Sequence, residues 1–110
     1  MADRRKERIA YNEAAFRDLN ESLEGNVHGD RPVGGYAGFV CECGDGDCDA
    51  IVQLELESYE RIRQDARLFF AVRGHEMPDA EDVVDETEHY VVVRKHDDVA
   101  DIAAETDPRS

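Results

Sequence analysis

Apolar positions recur at two different periods along this chain, and the change of period divides it. Ile9, Phe16 and Leu23 are spaced by seven, and Leu19 falls on the intervening row with Asn12. That spacing predicts a helix over 2–24 with a narrow apolar seam and polar residues elsewhere. Ala10, Ala14 and Ala15 favour the helix, and Gly25-Asn26 is its stop signal. Its basic first turn opposes the helix dipole, so the helix must be stabilised by something else. Gly25, Gly29, Pro32, Gly34, Gly35 and Gly38 then mark a loop and hinge over 25–38.

Beyond the hinge the pattern shortens to strands. Phe39-Val40-Cys41 reads as one strand, and 50–56 alternates well enough for a second, which makes the intervening loop the tip of a hairpin. Tyr59, Ile62, Arg63 and Ala66 sit at helical spacing and predict a short helix over 57–66. The run 68–72 is too short for another helix and reads as a third strand. After a turn at 73–78, Val83-Val84 and Tyr90–Val93 read as two strands joined near 86–89. From Asp97 an acidic tail allows at most one or two frayed helical turns at Val99, Ile102 and Ala103. The expected fold is α+β: a long N-terminal helix, a small, mainly antiparallel sheet and one short helix, with a zinc-knuckle-like hairpin tip. Its expected divisions are a helical arm (1–24), a Gly-rich linker (25–38), a zinc-stabilised body (39–96) and an acidic tail (97–110).

Length and composition sharpen this picture. A chain of 110 residues without Trp supports one domain with a modest core, burying roughly 60–70% of its unfolded surface. A metal staple would strengthen such a core. No apolar run approaches the ~20 residues of a membrane span, and no signal-peptide pattern is present; the expected location is the cytoplasm. The net charge is −14. Arg4, Arg5, Lys6 and Arg8 against Asp3 and Glu7 leave the first eight residues at +2 and the remainder at −16. Most of this surface repels a phosphate backbone, so nucleic acid is a poor partner. The simplest reading of the acidity is a well-solvated surface.

The chemistry concentrates in Cys41-Glu-Cys-Gly-Asp-Gly-Asp-Cys48, which holds all three cysteines of the chain. An odd cysteine count without a secretory signal argues for a metal or free thiols over disulfides. Cys41 and Cys43, at i and i+2 of a strand, project to the same side. Gly44 and Gly46 allow the chain to reverse, and Cys48 returns towards the first two. Zinc thiolate sites need four ligands converging on one point. His75, following Gly74 in the turn after the third strand, is the expected fourth, with Glu76 as a partner for its free ring nitrogen. His28 is the runner-up; His89 and His96 read as surface residues.

Other metals fit poorly. The spacing lacks the Cys-x2-Cys element of ferredoxin patterns. The Asp45-x-Asp47-x-Asp49 run has Ala50 and Leu56 where a calcium loop needs Gly and Glu. Three thiolates, a neutral imidazole and Zn2+ sum to −1, and Glu42, Asp45, Asp47 and Asp49 add negative charge. Such a site repels anions, and four protein ligands leave no open position, so the zinc is read as structural. No nucleophile–base pair or phosphate loop stands out, and Gly34-Gly35-x-x-Gly38 lacks the strand that precedes a dinucleotide fingerprint.

Asn12-Glu-Ala with Phe16-Arg and Asn20-Glu, Phe39-x-Cys-Glu-Cys with Cys48, Tyr59-Glu with Arg63, Phe70, and Gly74-His-Glu76 together resemble an uncharacterised family of small actinobacterial-type proteins. The resemblance spans nearly the whole chain. It supports pairing the cysteines with His75 and implies no activity, substrate or partner. The expected function is a non-enzymatic zinc-binding adaptor or regulatory protein. Its first helix would contact a protein partner or a second copy through Ile9, Phe16, Leu19 and Leu23. The alternative is a thiol/zinc redox sensor, which the acidic surroundings of the thiols disfavour.

Overall fold

The computed structural model describes residues 4–27 and 36–109. Its elements are α1 (Arg4–Val27), β1 (Tyr36–Val40), β2 (Ile51–Glu55), α2 (Leu56–Arg63), β3 (Leu68–Val72), β4 (Glu81–Glu86), β5 (Tyr90–Lys95) and α3 (Asp97–Glu105). The architecture is α+β, as the hydrophobic pattern predicts. His28 and much of the expected hinge lie outside the described residues.

All strand pairs are antiparallel, but they form two sheets, β1–β2 and β3–β5–β4. The larger sheet is covered on both faces, which explains why Phe69, Phe70 and Ala71 of β3 are all buried instead of alternating. Phe69 lies under the Arg17 guanidinium of α1, 4.4 Å from ring to cation. Phe70 faces the other way, edge-on to Phe39 and Tyr59, which stack at 4.4 Å. The two sheets are stitched where the chain leaves β1: Glu42 N–H donates to Phe70 O at 2.9 Å, covering the edge of β3. The opposite edge, β4, presents Asp82, Asp85 and Glu86 and a register shift between Val83 and Asp85. Charge and irregularity together discourage pairing with another strand.

The face by which α1 docks differs from its apolar seam. Its buried residues are Ile9, Ala10, Glu13, Ala14, Arg17, Asn20 and Glu24, one stripe at intervals of three and four. Phe16 and Leu23 flank that stripe half-buried, and Leu19 is 47% exposed. The helix turns this way because the body offers polar partners along it. Lys95 Nζ meets Glu13 at 2.6 Å and Glu81 at 3.1 Å with all three side chains fully buried. Arg17 donates to Ala66 O at 2.6 Å and Ala103 O at 2.7 Å. Asn20 bridges both backbone groups of Val40, accepting from its N–H at 2.8 Å and donating to its O at 2.9 Å.

Two carboxylates against one ammonium would leave a buried negative charge. Burial first, and the hydrogen bond to Glu81 next, push the Glu13 carboxyl well above its ordinary range. Glu13 Oε2 has no hydrogen-bond partner among the described residues, and a proton held on the Glu13 carboxyl leaves the trio neutral.

The acidic tail departs from its expectation. It forms a nine-residue α3 packed beside α1, with Val99 and Ala103 buried and Val99 joining Ile9, Ala10 and Ala80. Asp97 and Asp98 in its first turn favour the helix dipole, so acidity that looked like a sign of fraying supports the helix start.

At the other end of α1, Arg109 ties Glu21, Glu24 and Glu60 together. Burial pushes the Glu24 carboxyl up to about 7, with a hydrogen bond to Glu60 adding to the rise. A raised carboxyl favours the folded state below the unfolded value near ~4.3, and that contribution fades as pH climbs towards 7. Glu24→Gln imitates the protonated form. Denaturant midpoints are expected to fall less steeply with pH in this variant than in the wild type between about 4.5 and 7. Parallel profiles would show that Glu24 does not carry the raised proton.

Candidate metal centre

The site is built where β1 runs past its last paired residue. Cys41 N–H donates to Ala50 O at 3.0 Å, prolonging the hairpin beyond its ladder. Cys41 and Cys43 are both buried. Asp45 Oδ1 accepts from Asp47 N–H at 2.9 Å, and Cys48 N–H reaches back to Asp45 O at 3.0 Å. This Asx-type turn brings Cys48 round to the first two sulfurs. From the other side, β3 ends at Val72 and the chain turns at once, with His75 N–H donating to Val72 O at 2.9 Å. Gly74 takes φ +93°, a conformation that a side chain disfavours, and so lets the turn aim His75 at the cysteines.

The ligand atoms of Cys41, Cys43, Cys48 and His75 all lie within 4.8 Å of one another. They are the one such group of metal-binding side chains among the described residues. His75 Nδ1 lies 3.7 Å from Cys41 Sγ and 3.6 Å from Cys48 Sγ. A tetrahedral zinc with sulfur at about 2.3 Å and nitrogen at about 2.0 Å sets those atoms roughly 3.5–3.6 Å apart. The Nδ1 face of His75 therefore stands at a separation from both sulfurs that fits a shared metal ion. Cys41 Sγ also accepts from Val72 N–H at 3.2 Å, a bond that favours the thiolate. The cluster can hold a metal ion, and its donor set suits zinc.

The Glu76 carboxylate sits on the backbone of the turn, accepting from Gly74 N–H at 2.8 Å. It thus steadies the loop that carries His75. His89 is exposed, and His96 pairs with Asp82 at 3.1 Å beside α3.

Without a cation the sulfurs conflict. The hydrogen bond from Cys41 brings the Cys43 thiol down to about 5. The same contact, followed by burial, pushes Cys41 up, and burial raises Cys48. One thiolate is easily formed and the other two are resisted, until a divalent cation offsets their charge. The nearby acids do not join the cluster. Asp45, Asp47 and Asp49 are exposed, and Glu42 is fully buried with its carboxylate on Asn20 Nδ2 at 2.8 Å. A cavity of about 210 Å³ lined by Cys43, Asp45, Gly74, His75, Glu76 and Met77 opens beside the site. Complete coordination by four side chains would leave no position for a reactive water.

Sequence reading missed the residues of α1 that touch the loop. Asn12 donates to Gly44 O at 2.8 Å. Ile9 lies so close to Gly44 that a Cβ there would sit 2.5 Å from Ile9 Cγ2. The one available signal was a pair of asparagines eight apart on a helix, which marks polar work for that face without naming its object. Among the described residues no helix is long and apolar enough to cross a membrane. Compared with protein-family models, with curated proteins and with solved structures, the chain matches none.

Proposed function

We propose that this is a small, non-enzymatic, cytoplasmic zinc protein of adaptor or regulatory type, whose Cys41, Cys43, Cys48 and His75 hold a structural zinc ion. The observation that carries this reading is the convergence of four donor atoms from two distant loops within 4.8 Å. A crowd of thiols with opposing proton affinities is a poor way to stabilise a small fold unless a cation is bound there. Protein purified without added zinc is expected to contain one zinc per chain, and Cys43→Ser and His75→Ala to contain far less. A folded wild type free of metal would overturn the reading.

In this proposal the exposed flank of α1 supplies the contact with a protein partner or a second copy. Leu19 stands out from the helix with Phe16 and Leu23 half-buried beside it, whereas Ile9 is committed to the core. Leu19→Glu should leave zinc content and unfolding midpoint unchanged while weakening self-association or partner capture. Unaltered association would remove α1 from this role.

The low proton affinity of Cys43 supports one other reading, a redox sensor. Hydrogen peroxide would oxidise two of the thiolates to a disulfide, take up two protons from solvent and leave as two waters, and the lost ligands would release the zinc. The exposed acids around the loop work against it, and zinc retention under mild peroxide would exclude it.

A further inference from the structure

The cysteine loop has a wall made of α1, at three points spread over three turns of helix. Ile9 lies against Gly44, at a distance that leaves no room for a side chain. Asn12 Nδ2 donates to Gly44 O at 2.8 Å, and its amide lies 3.5 Å from where a Cβ on Gly46 would stand. Asn20 holds Val40, the residue before the first cysteine, by both backbone groups, and its Nδ2 also reaches the Glu42 carboxylate. Each contact lands between or beside metal-binding positions. The rest of the docked face is largely polar, built on Glu13, Arg17 and Glu24. Groups of that kind are hydrated once released, which offsets part of the cost of separating the helix from the body.

We propose that zinc occupancy controls the docking of α1: the filled site holds the cysteine loop in the shape that α1 grips, and loss of zinc releases the helix. The coupling rests on the metal reading above and adds a consequence to it. An undocked α1 offers a partner Ile9, Ala10 and Ala14, which the docked state hides. Zinc would thereby decide which face of the helix is available. Linkage requires reciprocity: whatever factor zinc adds to docking, docking adds to zinc affinity.

The test is amide hydrogen exchange on the full chain, zinc-loaded and after chelation, with metal content measured on each sample. Chelation is expected to speed exchange of the α1 amides more than those of β3 and β5. Asn12→Ala lies outside the ligand set. It should still take up one zinc, with affinity for the ion reduced roughly 2–10-fold, the scale of one lost hydrogen bond, as read by competition with a chromophoric chelator. Exchange of α1 in the loaded variant should rise by a similar factor. A chain that binds no zinc overturns the metal reading and this coupling with it. A chain that binds zinc but keeps α1 protected after chelation, or loses protection uniformly, overturns the coupling alone. Unchanged zinc affinity in Asn12→Ala does the same.

Discussion

Replacing Cys41 by Ser is expected to remove zinc and to lower stability by about 4 kcal/mol when the free metal stands near a thousand times its dissociation constant. Cys41 carries the largest effect of the four ligands because it is buried and also accepts the Val72 N–H of the strand that delivers His75. Its loss therefore loosens the join between the two sheets as well as the metal. Denaturant titrations of the variant and of wild type with and without chelator measure this. Chelated wild type should approach the variant, and both should lie far below the loaded protein. Should chelation leave the wild-type midpoint in place, the ion would not be part of the fold. A weaker fall for Cys48→Ser is the companion expectation, since Cys48 is only partly buried.

Lys95→Met should be nearly as damaging, by about 3–5 kcal/mol, through a different cause. Among the described residues this ammonium is the only cation shown against Glu13 and Glu81, and removing it strands the one negative charge that the buried pair carries. Burial already favours the protonated form of Glu13, so the loss should shrink as pH falls. Combining Lys95→Met with Glu13→Leu and Glu81→Gln should recover most of the stability, because no charge is then stranded. The amide oxygen introduced by Glu81→Gln can still accept from Met77 N–H, as the Glu81 carboxylate does. A triple variant no better than Lys95→Met would mean that packing, and not the stranded charge, explains the loss. Together the two series separate what the metal contributes from what the buried charges contribute.

The docking of α1 also explains why its exposed residues are hard to name from spacing alone. Ile9, Phe16, Leu19 and Leu23 are its regular apolar row, yet the row that the body covers runs through Glu13, Arg17, Asn20 and Glu24. Hydrophobic periodicity assumes that burial follows apolarity. Here burial follows whichever groups Lys95, the Ala66 and Ala103 carbonyls and the open end of β1 can satisfy.

What the chain reveals by itself is what its neighbours in sequence decide. The five strands, the short α2 and the convergence of Cys41, Cys43 and Cys48 follow from alternation, short apolar runs, helical spacing and glycine-driven reversal, all of them local. His75 was also legible, because a turn directly after an apolar strand can point in few directions. The tertiary structure alone decided the rest: two sheets stitched through Glu42 and Phe70, an acidic tail folded into α3, and a first helix clamped over the cysteine loop by Ile9, Asn12 and Asn20. Each of these depends on groups that meet across a long stretch of chain, several of them buried polar groups, and no local pattern encodes where the partner will be.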